Sequence, residues 1–229
     1  MFSLFGIEAS AALIALAAGF VPALVWMVFW LYEDKRRPEP RHMVIRTFLL
    51  GMLCVIVVLP LEKMAVDAGI PVSFLLFLVW AGIEEVVKLA LALMFVLRNS
   101  AVDEPIDIPI YMISIALGFA ALENTLFLLT PITDGKLLES IVTGNLRFVG
   151  ASLIHVLSSA IIGGALAFAF YREFWDKVWY GLVGVILAIS LHSLFNFLII
   201  HLPEESKQVA FFAVWTGIVC LIFVFESVK

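Results

Sequence analysis

The sequence predicts an all-α fold: a polytopic bundle of about seven membrane-spanning helices, forming a single transmembrane domain over residues 1–229. Three observations carry this. Of the 229 residues, 63% are hydrophobic and 14% charged, and the mean hydropathy is +1.11; such a composition suits a chain solvated by lipid. The apolar residues fall into runs of roughly 20 or more, enough to cross a hydrocarbon core about 30 Å thick. The longest polar stretch, Glu33 to His42, leaves no room for a separate aqueous domain.

The first run covers about Gly6 to Tyr32 and contains Pro22, which membrane helices tolerate because neighbouring groups satisfy the freed carbonyl. Met1-Phe-Ser-Leu-Phe before it has no basic residue, which fits a retained helix better than a cleaved signal peptide. The second run is about Met43 to Leu61. The third runs from Pro71 to Arg98, with the proline expected in its first turn. The fourth follows Pro109 and ends near Thr130-Pro131. The fifth, Leu137 to Tyr171, is too long for one straight span, so its start is expected in the interface or in a short amphipathic turn. The sixth is Val178 to His201 and the seventh Gln208 to Glu226. Cys54 and Cys220 lie inside apolar runs without metal-ligand spacing and read as buried small hydrophobes.

Basic residues orient the bundle. With the N-terminus outside and the C-terminus inside, the cytoplasmic segments hold Lys35, Arg36, Arg37, Arg41, Arg46, Arg98, Arg172, Lys177 and Lys229, against Lys63, Lys136 and Lys207 outside. Trp30, Tyr32, Tyr111, Tyr171, Trp175, Trp179 and Tyr180 cluster near the same cytoplasmic side, as an aromatic belt would. A net charge of −5 and the absence of a basic patch give no support for nucleic-acid binding.

Against this apolar background a few ionisable residues stand out. Glu84, Glu85 and Lys88 lie in the third run, where a charge costs about 2.5–3.5 kcal/mol on insertion scales. Helical spacing lets Lys88 pair with either glutamate, but one lysine compensates one acid. Counting about 1.5 Å per residue along each helix, Glu123 in the fourth run, His155 in the fifth and His192 with Asn196 in the sixth share a slab with the two glutamates, between mid-membrane and the outer half. Arg147 reads as a snorkelling residue or a counter-ion. Phe119, one turn before Glu123, reads as packing.

This chemistry suits hydrolysis of a peptide bond within the membrane. Glu84 or Glu85 could take a proton from water and return it to the leaving amine. His192 and Asn196, on one helical face, could donate hydrogen bonds to an oxyanion, while His155 or Glu123 would hold the water or set its protonation. No serine or cysteine nucleophile signature is present. The metal-free version is preferred and no cofactor is expected; the variant is zinc, for which two histidines and a glutamate are a known ligand set. Proton- or cation-coupled transport is the alternative class, although no internal repeat supports it, and a non-proteolytic immunity or assembly role is the third.

The series Glu84-Glu85-Val-Val-Lys88, Phe119-x-x-x-Glu123, Arg147 with His155, and His192-x-x-x-Asn196 resembles the PrsW family of bacterial membrane proteases. That family looks like a branch of the superfamily containing CAAX prenyl endopeptidases and bacteriocin-processing proteins. The resemblance covers about residues 71–201, which would be the catalytic core. It implies a glutamate-dependent intramembrane endopeptidase in the bacterial cytoplasmic membrane. The implied substrate is a single-pass membrane protein, an anti-sigma factor cut first in sigma-factor release. By this similarity Glu84 is the general base, Glu85 supports it, His192 and Asn196 form the oxyanion site, and His155 is a further site histidine. Prenyl endopeptidases carry histidine where this chain has Glu123, so Glu123 is instead a second acid or a partner of Lys88 or Arg147. Neither residues nor resemblance sets an oligomeric state.

Overall fold

Short polar breaks between apolar runs make each run fold as a helix, because a chain in lipid must satisfy its backbone internally. The structure, a computed structural model, describes residues 3–4, 7–33 and 37–228. Two-residue strands β1 (Ser3–Leu4) and β2 (Ile7–Glu8) pair antiparallel ahead of the bundle. Helices follow at α1 (Ala9–Glu33), α2 (Arg41–Asp67), α3 (Phe74–Phe95), α4 (Asp107–Thr133), α5 (Leu137–Leu146), α6 (Ser152–Phe168), α7 (Phe174–His201) and α8 (Lys207–Val228). A π-turn, Arg147–Ala151, joins α5 to α6 without a break, so the helices form seven rods among the described residues. Five rods are apolar and long enough to span a membrane: α1, α2, α4, the α5–α6 rod and α7. α3, 22 residues long and as apolar as these, differs from them in carrying three charges, Glu84, Glu85 and Lys88, near its middle.

α4 is the centre. It packs against α1, α2 and α6, and α7 joins through α6; α3 sits between α2 and α7. Every residue of α4 from Asp107 to Ala121 is buried, as an all-round apolar helix requires. Without water to drive association, membrane helices hold together by close packing of small residues. At the α2–α4 crossing, Gly51 lies against the Ile115 carbonyl and Gly118 against the Phe48 carbonyl, and a methyl group at either glycine would overlap that oxygen. Two backbones therefore touch there.

The helix limits correct several expectations. Pro71 lies outside α3: extended Ser73 is the N-cap, its hydroxyl donating to the Pro71 carbonyl at 3.2 Å. The long fifth run is continuous, α5 passing through the π-turn into α6 as one rod longer than a single straight span needs. Cys54 is buried, but Cys220 is exposed because α8 is peripheral and turns its outer face to the surroundings. Tyr32, Tyr171, Trp175 and Trp179 face outward as a belt would. Trp30 and Tyr111 are instead buried in the bundle, where the Tyr111 hydroxyl donates to the Glu39 carboxylate. Lys35, Arg36 and Lys229 of the orientation count lie outside the described residues.

Candidate active site

α3 presents Glu84 and Lys88 on one face with Glu85 beside them, and that face is turned into the bundle. Glu85 and Lys88 are 0% exposed and Glu84 4%. Burial of three ionisable groups demands partners, and each neighbouring helix supplies one. Lys88 Nζ has three N–H groups and three acceptors: Glu85 Oε1 at 2.9 Å, His155 Nδ1 at 3.1 Å and Glu84 Oε2 at 3.4 Å. The ammonium also stands 4.0 Å from the centroid of Phe119, a cation–π contact. Phe119 therefore does more than pack.

Glu85 is fully committed. Its Oε1 accepts from Lys88 and lies 3.0 Å from His192 Nδ1, while Oε2 accepts from the Ser159 hydroxyl at 3.1 Å. Glu84 is held loosely: its Oε2 is 3.4 Å from Lys88 Nζ, 3.5 Å from His155 Nδ1 and 3.9 Å from His192 Nε2. Glu123 is tied at its outer side, accepting from Arg147 and lying 3.0 Å from His155 Nε2. These partners fix both imidazole tautomers. Lys88 can only donate, so His155 Nδ1 accepts and its Nε2–H donates to Glu123; Glu85 accepts from His192 Nδ1–H. The two rings meet edge to face, 4.8 Å between centroids.

The structure thus brings Glu84, Glu85, Lys88, Glu123, Arg147, His155 and His192 into one connected network. Asn196 lies one turn beyond His192 on α7, half-buried, and makes no hydrogen bond among the described residues. Four further members escaped the sequence reading. Glu62 of α2 is half-buried and lies close enough to Glu84 for the two acids to interact. Its backbone carbonyl also accepts from the Trp80 indole at 3.4 Å. Asn124 donates to Ser152 at 3.0 Å and accepts from Arg147, and Ser159 supports Glu85. Glu62 has no signal in sequence because Lys63 and Asp67, paired at 2.8 Å, make the end of α2 look like a solvated polar terminus.

Glu84, Glu85, His155 and His192 offer ligand atoms within 4.8 Å of one another, the chemistry of a zinc set. Tetrahedral zinc holds N and O ligands at about 2.0–2.2 Å, which puts them about 3.5 Å apart. The pairs here run from 3.0 Å (Glu85 Oε1 to His192 Nδ1) through 3.5 Å (Glu84 Oε2 to His155 Nδ1) to 3.9 Å (Glu84 Oε2 to His192 Nε2), so spacing alone does not decide. Occupancy does: Glu84, Glu85 and His155 all lie at hydrogen-bond distance from the Lys88 ammonium, and a zinc ion on these donors would need that ammonium to leave.

Residues 39–226 match the family model described as "PrsW family intramembrane metalloprotease". Protease PrsW of Geobacillus kaustophilus is 30% identical over 207 residues, 87% of each chain. Protease PrsW of Bacillus subtilis is 27% identical over 193 residues, 82% of this chain and 84% of that one. Protease PrsW of Clostridioides difficile is 25% identical over 186 residues, 78% and 76% of the respective chains. No solved structure matches. A model match over most of the chain, with relatives aligned along three-quarters or more of their length, assigns this multi-pass membrane protein to the PrsW family of intramembrane proteases.

Proposed function

We propose that this chain is a glutamate-dependent endopeptidase that cuts a single-pass membrane protein, an anti-sigma factor, using water activated by Glu84. The observation that carries this is the unequal binding of the two adjacent acids. Glu85 is consumed by three short hydrogen bonds, whereas Glu84 keeps only contacts of 3.4–3.9 Å to the basic groups around it. A general base must be free to exchange partners, so Glu84 is the base and Glu85 the anchor that orients Lys88 and His192.

The 3.9 Å between Glu84 Oε2 and His192 Nε2 is too long for a direct hydrogen bond and suits a water donating to both. As the water oxygen bonds to the scissile carbonyl carbon, its proton passes to Glu84 and the carbonyl electron pair moves onto oxygen. Asn196, whose amide is uncommitted, donates to that oxyanion, and His192 joins it when Nε2 carries a proton. Collapse breaks the C–N bond, and Glu84 returns the proton to the amine. Glu123, neutralised by Arg147, holds His155 in the tautomer that accepts from Lys88. The substrate helix must unwind at the cut, because a helical carbonyl is already bonded.

The basic-residue asymmetry supports a bacterial cytoplasmic membrane with the N-terminus outside and the C-terminus inside. In a Cys220→Ala background, Cys introduced at Asp134 should react with an impermeant thiol reagent on intact cells and Cys at Arg172 should not; the reverse would invert the topology. For activity, cells expressing the wild type or Glu84→Gln at matched levels are compared for fragments of a co-expressed single-pass anti-sigma factor. A fragment seen only with the wild type is expected. Equal cleavage by both would end the role of Glu84, and no cleavage of that substrate beside cleavage of another single-pass protein would end its assignment.

A further inference from the structure

We propose that the Lys88 ammonium is the resident cation of this site, standing where a metalloprotease with the same donors would hold its metal ion. The family description speaks of a metalloprotease, and the geometry of this chain disagrees with it. Two carboxylates and two imidazoles converge from α3, α6 and α7, which is a ligand set in search of a positive charge. Here the charge is covalent. Lys88 is 0% exposed, and its three N–H groups meet three acceptors at 2.9, 3.1 and 3.4 Å. Those are ammonium distances, about 1 Å longer than zinc–ligand bonds.

Neighbours from three helices hold the ammonium in place. Phe119 of α4 closes one side at 4.0 Å. Glu84 and Glu85 belong to its own helix, and His155 stands opposite on α6. Beyond these, His192 reaches Lys88 only through Glu85, and the Arg147 guanidinium is spent on Glu123 and Asn124. Lys88 is therefore a positioning residue that sets the spacing of Glu84 and Glu85 and the tautomer of His155. The assignment deepens the proteolytic reading of the site, but metal content is measured without substrate, so each can fail alone.

Removing the ammonium while keeping the donors should turn this place into a true metal site. Lys88→Met is the substitution of choice, being uncharged and of similar length. Wild type and Lys88→Met are purified in detergent, exposed to zinc, freed of excess and analysed for metal; cobalt(II) is used in parallel for its visible d–d absorption. The wild type should hold substoichiometric zinc and give no cobalt band. Lys88→Met should hold about one zinc, with a tetrahedral cobalt band lost on adding His155→Ala. Tightly held stoichiometric zinc in the wild type, removed by His155→Ala, would overturn the proposal, as would folded Lys88→Met that takes up no metal. If Lys88→Met does not fold, the wild-type measurement decides alone: stoichiometric zinc lost with His155→Ala refutes the proposal, and its absence sustains it.

Discussion

α3 and α4 lie side by side in function and far apart in design. From Asp107 to Ala121 α4 is buried all round and mainly apolar or small, and it meets α2 so closely that glycines touch carbonyls. α3 sits at the flank between α2 and α7, exposes Val86, Leu93 and Met94, and turns its three charges inward. α4 mainly specifies where the backbones go, while α3, with Phe119, Glu123 and Asn124 of α4, specifies what happens between them. Packing contacts in lipid tolerate no added volume, whereas an ion network tolerates isosteric change at fixed shape. Structure and chemistry should therefore fail separately.

The largest effect should come from the packing helix. Gly118→Leu drives a side chain into the Phe48 carbonyl and should abolish folded protein, measured as a monodisperse detergent peak; a normal peak would mean that the α2–α4 contact is not the organising one. Next, Glu84→Gln keeps the volume and removes the base. Cleavage should fall about 10²–10⁴-fold with an unchanged peak. If the peak is lost instead, the two helices are not separable. Asn196→Ala removes the uncommitted amide and should lower kcat by about 10²–10³-fold with little change in KM. Smallest is Ser159→Ala, which takes one of the three hydrogen bonds from Glu85. At about 1 kcal/mol it should reduce kcat/KM roughly 5-fold, and a loss as large as that for Glu84→Gln would exchange the roles of the two glutamates.

Much of this was legible in the chain because hydrophobic runs and lone charges are local signals. The seven rods, the inward face of Glu84, Glu85 and Lys88, and the participation of Glu123, His155 and His192 all follow from residue type and depth. What was hidden depends on contacts between helices. Glu62 looked like part of a solvated terminus until α2 and α3 were placed side by side. The choice between Glu84 and Glu85 needed the positions of Ser159 and His192. Trp30 and Tyr111 share their depth with the outward aromatics, and depth alone does not say which way a ring points.

The π-turn at Arg147–Ala151 gives that last difficulty a different form. On a regular helix, residues eight apart such as Arg147 and His155 point about 80° from each other. A π-turn, whose hydrogen bonds span one residue more, underwinds the helix and takes back most of that angle, so both side chains reach Glu123 Oε2. The π-turn thus takes up one surplus residue without moving Arg147 off the acid that His155 also contacts. Deleting a single position between Phe148 and Gly150 would leave the two residues seven apart on a regular helix, about 20° from each other, and so should keep Arg147 on Glu123. Inserting one instead, with no second bulge to absorb it, would turn Arg147 away from Glu123 and leave the acid without its counter-charge.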